Sequence, residues 1–134
     1  MPDNYAATRV DRGSVIHSNA LFRWETLKFA GAGTWNAGTI LARDNTDDKL
    51  VQYDPAGDND TDVPIAVLTF DVTAGEAGDL HRRVMIAGNV REQRLIVNGG
   101  DPGADVDGPL TDALRLYSII PLSVEEQNVD DPGV

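Results

Sequence analysis

Apolar residues fall in short runs separated by turn formers. Thr39-Ile40-Leu41-Ala42 and Lys49-Leu50-Val51-Gln52-Tyr53 flank Asp44-Asn45-Thr46-Asp47-Asp48, a stretch of residues that tolerate turn geometry, which predicts a β-hairpin with a loop longer than two residues. Val63 to Val72 carries no charge before Asp71 and reads as a strand covered on both faces, with Pro64 confined to its entry. After the Thr73–Asp79 loop, Arg82, Val84, Ile86, Gly88 and Val90 alternate with Arg83, Met85, Ala87 and Asn89. This predicts a further strand in which Gly88 marks a bulge or a close backbone approach. Residues 91–97 either continue it or turn into a fifth strand.

Upstream, Leu21 to Phe29 sorts Leu21, Arg23, Glu25, Leu27 and Phe29 on one parity and Phe22, Trp24, Thr26 and Lys28 on the other. Neither face is purely apolar, as expected of a strand paired on one side and contacted from both. Before it the chain has little periodicity, so residues 1–30 read as an extended N-terminal arm, 31–124 as a β-rich domain and 125–134 as an acidic tail. Near the end, Pro109 suits a first helical turn, and Leu110, Ala113 and Leu114 share one face, predicting a short helix before a last strand over Tyr117–Leu122. The fold class expected is mainly β, a β-rich α+β domain with one short C-terminal helix.

With 134 residues the chain has room for one domain with a real core. It contains no cysteine, which removes disulfides, thiolate metal sites and a thiol nucleophile. The formal charge of −11 argues against a phosphate-backbone binder, so nucleic acid is not an expected partner. Residues 1–43 hold five basic side chains and three acids, which leaves −13 for the remainder and suggests a mildly basic arm on an acidic body. Met-Pro-Asp-Asn-Tyr has neither the basic nor the apolar part of a signal peptide, and no apolar stretch approaches the ~20 residues of a membrane span. A product made in a cytoplasm, with no membrane partner, is expected.

Candidate chemistry is thin. Asp58-Asn59-Asp60-Thr61-Asp62 opens like a calcium loop, but an EF-hand would need Gly where Val63 stands and Glu where Thr69 stands. Gly31-Ala32-Gly33 offers two glycines of a dinucleotide fingerprint, with Asn36 in the third place. His17 and His81 are placed on the arm and in a loop, with no third ligand at metal spacing. Arg82-Arg83 reads as a strand-end pair neutralising Asp71 or Asp79. No Ser-His-Asp pattern or nucleophile elbow is present. The expectation is a protein that is not an enzyme and carries neither metal nor cofactor.

Four fragments, in order, resemble the head decoration proteins of lambda-type tailed bacteriophages: Gly38-Thr39-Ile40-Leu41-Ala42-Arg43, Lys49-Leu50-Val51-Gln52-Tyr53-Asp54-Pro55-Ala56, Ile65-Ala66-Val67-Leu68 followed by Asp71-Val72, and Val84-Met85-Ile86-Ala87-Gly88-Asn89-Val90. The late helix followed by Ile119-Ile120 extends the likeness over residues 37–122. The resemblance implies a small β-barrel or β-tulip-like domain that assembles as a homotrimer. Such a trimer would sit on the outer surface of the capsid at or near three-fold positions and cement the major capsid protein of the same phage. It also implies an N-terminal arm that contacts the capsid, for which Arg9, Val15, Leu21, Phe22 and Trp24 are the candidates. Part of residues 5–29 would add a strand to a capsid sheet edge, unless Phe22, Trp24 and Leu27 pack on the protein's own core. The trimer contact is placed on Ile65, Val67, Val84 and Ile86. The alternative is a phage or cell-surface accessory module that binds a receptor or carbohydrate through Trp35, Tyr53 and the acidic loop.

Overall fold

The computed structural model describes residues 15–123, and within them the chain is mainly β. Strands β1 (Ile16–Phe29), β2 (Gly33–Trp35), β3 (Ile40–Asp44), β4 (Lys49–Gln52), β5 (Ala66–Val67), β6 (Val72–Ala74) and β7 (Gly78–Arg91) precede a 3-10 turn (Glu92–Arg94). A single helix α1 (Gly108–Leu116) and strand β8 (Ile119–Leu122) complete the described residues. The main sheet runs β1-β4-β3-β5-β7-β8, and β7 also pairs with β1, which closes five strands into a barrel with β8 alongside. β2 and β6 form a separate two-stranded sheet.

Local chemistry accounts for the hairpin and the helix. In the β3–β4 turn, Asp44 Oδ1 accepts from the Thr46 amide at 3.0 Å and from its hydroxyl at 2.6 Å, and Asp48 takes a left-handed conformation with φ 66°. Asp44 then lies opposite Lys49 and Leu41 opposite Gln52. At the helix start, Asp107 accepts from the Leu110 amide at 3.0 Å, supplying an orphan donor with an acceptor. Leu110 and Leu114, one turn apart, face the core.

Alternation along the strands splits the core in two. Leu27, Leu50, Leu41, Ala66 and Val84, one from each barrel strand, form the interior with Phe29, Trp35 and Val72. Ile40, Ala42, Val67 and Met85 face the other way, under Leu110, Leu114, Leu95 and Ile119. A central strand covered on both faces therefore reads as a continuous apolar run, as in β3.

β1 corrects the expected arm. It pairs antiparallel with β7 from Ile16–Val90 to Phe29–Gly78 and meets β4 at Leu27–Leu50, so residues 16–29 are a wall of the barrel. Any arm is confined to residues before Val15, outside the described residues, as is the expected acidic tail from residue 125. The register slips between Ile16 and Phe22, and there Gly88 holds φ 126°. A Cβ on Gly88 would collide with the Asn19 carbonyl oxygen and lie 2.9 Å from Ala20 Cα, which is the close approach the sequence indicates.

Two other expectations change. The run from Val63 to Val72 is not one strand: Ile65 and Leu68 donate to Leu41 and Thr39, only Ala66–Val67 pairs as β5, and the chain then turns at Phe70. Asp71 Oδ1 accepts from the Ala37 amide at 2.8 Å, which fixes that turn and redirects Val72–Ala74 to β2. Past β7, residues 92–94 form the 3-10 turn instead of a continuing strand, and Ile96 makes an isolated parallel bridge to Thr39.

Candidate functional site

Because Glu25, Leu27 and Phe29 point into the barrel, the even positions from Phe22 to Lys28 project from the outer face of the β1–β7 ribbon. Directly opposed residues share a face, which sets Phe22 beside Met85, Trp24 beside Arg83 and Thr26 beside His81. Near Met85 this face is covered, and Phe22 packs against the helix-side cluster. Further along it opens to solvent: Trp24 is 60% exposed. Its ring stacks on His81 with centroids 5.7 Å apart at 17°, and the Arg83 guanidinium lies 4.7 Å from the Phe22 ring centroid. The Thr26 hydroxyl is 3.3 Å from His81 Nδ1. A rigid aromatic platform with an adjacent guanidinium is the composition typical of binding hot spots.

An ion-pair network closes the far end of the ribbon. Lys28 donates to Asp44 at 3.1 Å and to Asp47 at 2.7 Å, and Lys49 donates to Asp79 at 2.6 Å. The Thr46 hydroxyl and amide, then Lys28, hold the Asp44 carboxyl at a pKa of about 2. The Lys28 hydrogen bond lowers Asp47 in the same way, while Asp47 and then Asp44 raise Lys28. The charges of Lys28, Asp44 and Asp47 are therefore fixed at neutral pH.

The residues expected to contact a capsid divide. Trp24 and Leu21, the latter 62% exposed, are open to a partner, and Phe22 is half-buried. Val15 is buried, with its carbonyl accepting from the Arg91 amide at 2.8 Å, and so contributes to the body and not to a contact. Arg9 lies outside the described residues. Of the expected trimer set, Val67 and Val84 are wholly enclosed, Val67 under the helix-side cover and Val84 in the barrel interior, so neither can touch another copy. Ile65 and Ile86 are half-buried on the barrel-interior side.

His81 and Arg83 were not among the expected site residues. His81 belongs to β7, not to a loop, and His17 to β1. The arginine doublet lies mid-strand, its members on opposite faces: Arg83 covers Phe22, Arg82 donates to the His81 carbonyl, and Asp79 is taken by Lys49. Only the cross-strand register, which fixes what faces Trp24, could have found them. The platform of the alternative reading is corrected too. Trp35 is buried against Phe29 with centroids 4.0 Å apart, and Tyr53 is buried, its hydroxyl pKa raised by that burial. Asp58–Asp62 forms a turn in which the Thr61 amide and hydroxyl both donate to the Asp58 carbonyl, at 3.0 and 2.7 Å. Among the described residues no helix is long and apolar enough to cross a membrane. No protein-family model matches the chain, and no curated protein matches it in sequence.

Proposed function

We propose that this protein is a bacteriophage head decoration protein, a homotrimer that binds the outer surface of the expanded capsid and cements the major capsid protein against internal DNA pressure. The observation that carries the reading is where the resembling fragments fall. They contain β4, β5, all of β3 but Asp44 and half of β7, and so reach four of the five barrel strands, which places the likeness mainly on the framework of the fold. The Phe22–Trp24–His81–Arg83 face supports it further, because a rigid barrel that presents an exposed tryptophan beside an arginine has an anchor for a protein partner. Three weak contacts joined in a trimer reinforce one another through effective concentration, and binding only the assembled shell stabilises it by mass action.

The test is co-sedimentation with expanded phage heads that lack the protein. The full chain should bind saturably, and Trp24→Ala should bind at least tenfold more weakly while remaining folded. A version beginning at Val15 separates the contribution of residues 1–14 from that of the ribbon. Absence of binding by the full chain to heads of its own phage would refute the proposal. The exposed Trp24–His81 stack also suits a sugar ring, which keeps a receptor- or carbohydrate-binding module as the second reading. Retention on immobilised glycans without binding to heads would select it.

A further inference from the structure

Strands β1 and β7 carry five basic side chains, Arg23, Lys28, Arg82, Arg83 and Arg91, against the two acids Glu25 and Asp79. Their net of +3 stands in a chain of formal charge −11, so the remaining residues sum to −14. At the Lys28 end of the ribbon the surplus is cancelled from outside, because Asp44 and Asp47 pair with Lys28. Beside Trp24 no such cancellation occurs. Among the described residues neither Arg82 nor Arg83 meets a carboxylate, although both are exposed.

Arg83 is the one of the two on the outer face, directly opposite Trp24. Its guanidinium lies 4.7 Å from the Phe22 ring centroid and donates no hydrogen bond among the described residues. The ring satisfies the charge of the arginine and leaves its N–H fork without an acceptor. A long side chain already resting on a ring also has less rotamer freedom to lose when a partner arrives. The group that matches such a fork in both shape and charge is a carboxylate. Trp24, 60% exposed and backed by His81, sets a broad apolar surface next to it.

The surrounding charges fix the direction and the length of what fits. Asp79 shares the outer face with His81 and Arg83, and Asp44 and Asp47 lie beyond Lys28, so a negative charge is repelled at that end and attracted at Arg83. The acidic remainder of the molecule opposes a long polyanion such as nucleic acid. A short segment whose charge stays on the ribbon escapes most of that repulsion.

We propose that the outer face of the β1–β7 ribbon docks a short acidic segment of its protein partner, a carboxylate on the Arg83 fork and a neighbouring apolar side chain on Trp24. That the partner is a capsid protein rests on the function proposed above; the acidic chemistry rests on the ribbon alone.

Two measurements on the full chain separate these layers. In the first, protein labelled with nitrogen-15 is titrated with the end-blocked hexapeptide Ala-Leu-Glu-Leu-Glu-Ala and with analogues carrying Gln or Lys in place of Glu. The Glu peptide should shift the Trp24, His81 and Arg83 amides saturably, and the Gln and Lys peptides should bind at least fivefold more weakly. Arg83→Met, which keeps the cover over Phe22 and removes the fork, should abolish the preference for Glu over Gln, and its spectrum reports on folding directly. In the second, co-sedimentation with heads lacking the protein should weaken at least tenfold in Arg83→Met, and should weaken for the unaltered chain as sodium chloride screens the contact. Absence of saturable shifts at those amides, or equal binding of the Glu and Gln peptides, overturns the proposal whatever the heads do. Head binding that is indifferent to Arg83→Met overturns it while leaving decoration intact. Preference for the Glu peptide without any binding to heads sustains the acidic recognition and refutes decoration. Lactose shifting the same amides at lower concentration than the Glu peptide overturns the proposal in favour of a glycan.

Discussion

Leu27→Ala decides whether β1 belongs to the folded body or is an arm that orders only on a partner. Leu27 is fully enclosed, lies opposite Leu80 in β7 and supplies the single described register point between β1 and β4. Truncation to alanine removes three carbons, about 2.4 kcal/mol at ~0.8 kcal/mol each. The hollow left in a closed barrel that cannot collapse freely brings the total to about 3 kcal/mol, within the range of buried leucine truncations. At ~4 °C per kcal/mol for a domain of this size, Tm should fall by roughly 12 °C. With a urea m-value of ~1.5 kcal/mol/M the unfolding midpoint should fall by about 2 M. Urea unfolding at fixed protomer concentration, followed by tryptophan fluorescence, measures this. Leu21→Ala on the same strand is the internal control, because an exposed site should stay within about 0.5 kcal/mol. Equal, negligible shifts for both variants would refute the barrel assignment of β1, since side chains of a detached arm add nothing to the stability of the free protein.

Two further predictions follow from named geometry. Gly88→Ala should cost about 2 kcal/mol or more, because alanine at φ 126° is strained and its Cβ would press on β1 at Asn19 and Ala20; thermal unfolding beside Gly75→Ala, where a Cβ meets nothing, measures the difference. Acid should weaken the fold in a defined window. Asp44 is held at about 2 in the folded state against 3.8 ordinarily, so its stabilisation is complete above that ordinary value and is lost as pH falls from about 4 toward 2. Thr46→Val, which removes the largest cause of the shift, should flatten the Tm-against-pH profile there while leaving its slope above pH 5 unchanged.

Much of the local structure could be read from the chain because its causes are local. The β3–β4 turn announces itself in Asp44–Asp48, and the helix in Pro109 with Leu110 and Leu114, with Asp107 adding the cap the structure reveals. Barrel closure has no such signal. β1 and β7 pair Ile16 with Val90 across most of the described chain, and periodicity does not say which strand a strand will meet. The mixed parity of β1 now has a physical account: Arg23 and Glu25 line a surface pocket, where an ion pair is tolerated, and Leu27 and Phe29 lie in the apolar interior. A single strand crossing two environments looks amphipathic in neither. The same gap hid half of the outer face, because Trp24 can be named from sequence but its neighbours His81 and Arg83 depend on a register nearly sixty residues away.

The two faces of β1 make one further step of argument possible. Leu27 and Trp24 stand on opposite sides of the same strand, one sealing the barrel and the other displayed. A partner seated on Trp24, His81 and Arg83 would touch β1 and β7 together and bind only when the two are paired. Its binding free energy therefore adds to the stability of the closed barrel, by about 2.7 kcal/mol at a concentration a hundred times Kd. An arm that ordered only on binding would instead lose affinity to the entropy of its own folding. Placing the anchor on a strand already held by Leu27 avoids that loss, so a contact as small as one exposed tryptophan and its arginine neighbour can contribute its full share to docking.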